Sequence, residues 1–184
     1  MSALELAQWI QGTGWATYLR MSAYIYPSIL ASHLTGIALF AGAVLVTDLR
    51  LLGVVLRNQP VSDVVNQLRW PKRIGFLIVA TCGFLLASSK AEEYYYNTFF
   101  KIKLTLLVLV AIHALVFRGS VYNNAAELDQ ARRMPGKAKL AAALSLLLWI
   151  SIACAGRGIG YIEPPLDKLH AALSGMLAIA VTPR

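Results

Sequence analysis

The most constraining feature of this chain is a run of twenty residues without a formal charge, SILASHLTGIALFAGAVLVT at positions 28–47, closed by Asp48 and Arg50. At ~1.5 Å per residue such a run is about 30 Å long as a helix, the thickness of the hydrocarbon layer of a bilayer. Three more apolar blocks follow, at 74–89, 99–117 and 140–156, each flanked by Lys or Arg. The third is most apolar from Leu104 onward and extends back to Phe99 with Lys101 and Lys103 snorkelling outward. A lone segment in lipid satisfies its backbone polar groups only within itself, so each block is predicted to be a helix.

Composition agrees. Only 14% of the 184 residues are charged and 58% are hydrophobic, where a soluble domain would be roughly a quarter charged. The predicted fold class is all-α: an integral membrane antiparallel four-helix bundle, one membrane domain over residues 1–184, with short connections between helices. Two interfacial helical segments are expected at its ends. Residues 3–26 carry Trp9, Trp15, Tyr18, Tyr24 and Tyr26, interrupted by Gly12 and Gly14, and aromatic residues of this kind favour the headgroup zone as one helix or a pair. Residues 166–182, after the turn at Pro164 and Pro165, read as a surface or half-inserted helix.

The formal net charge of +8 sits at the ends of the apolar blocks and not in a stripe interleaved with aromatics, which argues against nucleic acid as a partner. Ten Lys and Arg residues follow the first and third spans and seven lie on the opposite side. The positive-inside rule then makes the richer side cytoplasmic, with both termini periplasmic in a multi-pass protein of a bacterial inner membrane. No basic leader precedes an apolar run at the N-terminus, so no cleaved signal is expected. Cys82 and Cys154 lie within apolar blocks and suggest neither zinc nor a disulfide framework. Small residues at Ser28, Ser32 and Gly36, and at Ala153, Gly156 and Gly160, suit close helix packing in lipid.

An ionisable residue inside a span is a functional candidate because its burial costs free energy. His33 is the best of these, as a haem or copper ligand, with Gly36 one turn further leaving room beside it. Depth separates it from His113: about six against 15 residues from the outer face places them on the order of 13 Å apart, too far for one iron. Lys103, Arg157, Cys154, Glu92 and Glu93, the run Tyr94-Tyr95-Tyr96, and His170 with Met176 from the C-terminal segment gather at the same outer end. That basic surrounding would suit a haem propionate, a quinone, or a metal with its counter-ligands. The plainer reading gives His33 a hydrogen bond to a neighbouring helix and the rest the role of interface anchors. At the inner end, Asp48 is expected to form a structural ion pair with Arg118 or Arg73. GRGIGY at 156–161 emerges from a membrane helix and is no nucleotide loop; GxSxG and HExxH are absent. With no catalytic motif, an enzymatic role extends at most to electron transfer.

The segments YPSILASHLTGIALFAGAVLVTDLRLLG, FKIKLTLLVLVAIHALVF and AGRGIGYI together resemble a family of small bacterial four-span inner-membrane proteins described as a domain of unknown function. They are distantly similar to the membrane domains of copper-resistance D-type proteins and to transmembrane cytochromes b. The resemblance implies a four-span bundle with His33 and the Asp48–Arg50 corner as family-like positions, and it implies no activity. Cytochrome bundles pair histidines at matched depth, whereas the second and fourth spans here have none, so a second haem ligand would have to be His170 or a less common partner. The expected function is a haem b or quinone-linked electron-transfer subunit or a copper-handling one, haem ahead of copper, with a membrane or periplasmic redox partner or a second copy. The alternative is a non-catalytic anchor or assembly component of a larger complex.

Overall fold

The computed structural model describes residues 1–117, 119, 121, 125–131 and 134–162, and among them all regular structure is helical. The chain enters through α1 (Ala3–Gly12) and α2 (Gly14–Met21), continues into the long α3 (Ile25–Leu52), and turns through α4 (Val61–Gln67) into α5 (Arg69–Ser89). After α6 (Ala91–Tyr96) come α7 (Thr98–Phe117), α8 (Ala125–Gln130) and α9 (Gly136–Ile159). Four of these, α3, α5, α7 and α9, are long and apolar enough to cross a membrane.

Local chemistry sets the boundaries. Ser2 and Glu5 form a capping box at the start of α1. The N-terminal aromatic region is a pair of short helices, broken at Thr13. Helix α3 runs on past the uncharged block and ends where Gly53 takes the left-handed conformation, φ 75°. Helix α5 starts at Arg69, five residues before the apolar block, because Pro71 falls in the first turn, where no backbone N–H is needed. The end of the chain, including the segment 166–182, lies outside the described residues.

The two middle helices are α3, which packs on α5 and α9, and α9, which packs on α7; α5 and α7 are joined through α6 rather than along their lengths. Glycines let these pairs close. A Cβ at Gly36 would lie 2.7 Å from Ile78 Cγ2, one at Gly75 2.8 Å from the Phe40 nitrogen, and one at Gly158 2.6 Å from the Phe99 ring. The Phe40 and Trp149 rings meet edge to face at 5.1 Å across α3 and α9.

The two ends of the packed long helices are tied differently. At one end, Gln8 donates to Glu92 Oε1 at 2.9 Å, and the Glu92 N–H donates to Gln11 Oε1 at 2.9 Å, fastening α1 to α6. Arg20 donates to the Ser89 carbonyl at 2.8 Å, satisfying the end of α5. Buried Asn97 accepts from the Phe100 N–H at 3.1 Å and donates to the Ile162 carbonyl at 2.8 Å, so one side chain caps α7 and holds the end of α9. At the other end, Leu51, Val61, Val121, Leu128, Ala138, Ala141 and Ala142 form an apolar core beneath α4 and α8.

Candidate functional site

His33 projects from α3 onto one turn of α5. A Cβ at Gly83 would sit 3.0 Å from its Cε1. The ring also faces the carbonyl of Val79, one turn earlier. Nδ1 is nevertheless buried without a hydrogen-bond partner among the described residues. Such an atom is costly inside a protein and marks a place where a partner would be gained.

Lys103 reaches the same region from α7. Its Nζ lies 3.7 Å from the Cβ position at Gly156 on α9 and within electrostatic reach of His33. Among the described residues its ammonium has no hydrogen-bond or ion-pair partner. The gathered groups are therefore an imidazole and an ammonium, carried by α3 and α7 and lined by the glycine surfaces of α5 and α9.

Other candidates go elsewhere. Arg157 is exposed and turned outward, donating to the Tyr161 hydroxyl at 2.9 Å with its guanidinium 4.8 Å from that ring. The space expected beside Gly36 is filled by Ile78 and Val79. His113 approaches the Ala141 carbonyl of α9 at 2.9 Å and lies 4.9 Å from the Phe117 ring, on a different helix interface from His33. Glu92 faces α1, and Tyr94 stacks on Phe100 at 4.8 Å. His170 lies outside the described residues.

A second polar cluster occupies the far end of α3. Asp48 is 1% exposed, with the Ser145 hydroxyl of α9 in reach and Lys72 of α5 in electrostatic range. Among the described residues its Oδ2 has no hydrogen-bond partner. The lysine comes from the turn that α5 adds before its apolar block, one residue ahead of Arg73; Arg118 lies outside the described residues. Gly83 and Lys72 were not among the residues singled out from sequence. The available signal was spacing: Gly75, Val79 and Gly83 recur every four residues, and Lys72 lies one turn before Gly75 on the same face.

This arrangement belongs to a chain whose sequence fits one family model over residues 9–162, from α1 to the end of α9. The chain belongs to DUF6644, a family of unknown function. The match covers all four long helices and both polar clusters. No curated protein and no solved structure matches the chain.

Proposed function

We propose that this DUF6644 protein is a quinone-linked electron-transfer subunit of the bacterial inner membrane, which holds a quinone carbonyl at His33 and Lys103. The observation that carries the reading is the pairing of a buried, unbonded imidazole nitrogen with an ammonium that has no acceptor among the described residues. A quinone offers carbonyl acceptors on an apolar, lipid-soluble body. It would give the ammonium an acceptor and, with the imidazole as its N–H tautomer, satisfy the ring as well.

The same groups suit metals less well. An ammonium near the ring repels a cation there, and among the described residues no three His, Cys, Asp or Glu side chains gather to hold one. A haem held by His33 and His113 does not fit either, because His113 is engaged with α9 and Gly36 is filled.

The register of contacts supports an antiparallel bundle. His33, Gly36 and Phe40 meet Gly83, Ile78 and Gly75 in falling order, and Phe99, Lys103 and His113 meet Gly158, Gly156 and Ala141 likewise. The excess of Lys and Arg after the first and third spans supports periplasmic termini, with His33 in the outer leaflet. Exposed Trp9, Tyr18 and Tyr24 on and beside α1 and α2 suit the headgroup layer.

The test uses the full chain in lipid nanodiscs and a short-tailed benzoquinone. His33→Ala and Lys103→Ala are each expected to weaken quinone binding about tenfold or more, while His113→Ala leaves it unchanged. Equal binding by all four proteins would remove the reading. A haem absorption band lost in His33→Ala would replace the quinone with haem b. The second reading, a membrane anchor or assembly component acting with another subunit or a second copy, is favoured by α7, which has no fully buried residue and presents Leu107, Val108, Leu115 and Val116 outward. It predicts a larger complex in mild detergent that survives His33→Ala.

A further inference from the structure

We propose that Asp48 is a proton-binding site at the end of the bundle opposite His33, exchanging its proton with water on the Lys72 side. The site shares no residue with the quinone reading and stands apart from it. Fifteen residues of helix separate Asp48 from His33, about 22 Å along α3.

The hydrogen bonds around Asp48 leave a defined gap. Thr47 uses its hydroxyl proton on the Ala43 carbonyl at 2.8 Å, so it has none for the neighbouring carboxyl. The Thr47 oxygen in turn accepts from Lys72 Nζ at 3.0 Å. The ammonium is thereby held on a hydroxyl beside Asp48, and among the described residues it makes no ion pair with the carboxyl. Ser145 supplies one hydroxyl from α9, and among the described residues Oδ2 is left without a donor.

Among the described residues the remaining neighbours add no charge. Helix α4 buries Val61 and Val64 against this end, and Arg50 is turned away to the Gln59 carbonyl at 2.6 Å. A buried carboxyl with an unbonded oxygen can be relieved in two ways. A proton can add to Oδ2, or Lys72 can swing from Thr47 to the carboxylate. The two arrangements differ by one proton, transferred between Oδ2 and water with no other bond made or broken. The path outward is short, since Lys72 is half-buried in the first turn of α5 between exposed Arg69, Trp70 and Arg73.

Infrared titration of the full chain in lipid, in ordinary and heavy water, reads this directly. Between about pH 4 and about pH 10, a carboxylic-acid C=O band is expected at the acid end and lost at the alkaline end. It should be absent from Asp48→Asn and retained with a displaced midpoint in Asp48→Glu. Lys72→Gln should move the midpoint toward alkaline pH by about one unit or more, because the cation that favours the carboxylate is gone. An Asp48-dependent band at every pH, or at none, would overturn the proposal in favour of a fixed acid or a fixed ion pair. A band that emerges only in Arg118→Gln would overturn it as well, by identifying Arg118 as a permanent partner.

Discussion

The imidazole of His33 lies on the bare backbone of Gly83, where a Cβ would come within 3.0 Å of Cε1. The glycine makes room for the ring, and the ring covers one turn of α5. Gly83→Ala would normally favour a helix by about 1 kcal/mol, but here the ring must move by a few tenths of an ångström. The expected result is little or no gain in stability and several-fold weaker quinone binding. In a His33→Ala background the same substitution should become stabilising. Thermal unfolding of the four proteins as a double-mutant cycle measures the coupling; strictly additive melting shifts would show that the two residues do not bear on each other.

Helix α3 approaches α5 backbone to backbone at Gly75 and backbone to side chain at Gly36. A Cβ on Gly75 would meet the backbone nitrogen of Phe40 at 2.8 Å, and one on Gly36 would meet the end of the Ile78 side chain at 2.7 Å. Both alanine variants should cost about 1–3 kcal/mol through overpacking. Only one should be rescued. Ile78→Ala removes the atom that obstructs Gly36→Ala, whereas Phe40→Ala leaves the obstructing nitrogen in place. Rescue of Gly75→Ala by Phe40→Ala, seen as a recovered melting temperature, would contradict the backbone contact.

The four long helices were legible because an apolar block of membrane length is readable without a neighbour. Their ends were not, because helical hydrogen bonding continues into polar residues until something stops it. Gly53 stops α3, and Pro71 permits α5 to begin among charges. Helix α6, AEEYYY, has no apolar block to mark it in sequence and packs on α1. At the site, His33 and Lys103 stood out as ionisable groups in or near apolar segments. Arg157 was placed with them by level along the helix, but it sits about 100° around α9 from Gly156, the residue that faces Lys103. Gly83 and Lys72 acquire meaning only once the register of α3 on α5 is known, which sequence spacing alone does not supply.

Asp129 performs across 68 residues what an N-cap side chain usually performs locally. Pro60 precedes α4 and offers no side-chain hydrogen bond, and the Asp129 carboxylate of α8 accepts from the Val61 N–H and, at 3.3 Å, from the Ser62 N–H. Asp129→Ala should destabilise this end by about 1 kcal/mol, with Asp129→Asn intermediate. Burial slightly opposes ionisation, but the Ser62 hydroxyl, these two N–H groups and Arg50 outweigh it and hold the carboxyl below the usual range. The folded value is depressed, so the contribution is present above the unfolded carboxylate value near ~4 and is lost as pH falls through the folded one. Wild type and Asp129→Ala should therefore converge in melting temperature in acid. A difference that persists at the lowest pH would show that the contact is not ionic.

Tyr94 gives the opposite end an alkaline sensitivity. Burial first, then Tyr26 and Glu93, push its phenol up to about 12. An unfolded tyrosine ionises near ~10, so between those values the folded chain retains a proton that the unfolded chain has lost. The tyrosine's contribution is complete below the unfolded value and declines as pH rises through that window, so stability should fall there with a slope approaching one proton. Tyr94→Phe should flatten the slope while keeping the stack on Phe100, whose ring centroids lie 4.8 Å apart. Ultraviolet titration of phenolate absorbance provides the independent check: the variant should lose a late-ionising tyrosine. If the late phase survives in Tyr94→Phe, the group that resists ionisation is another of the chain's tyrosines.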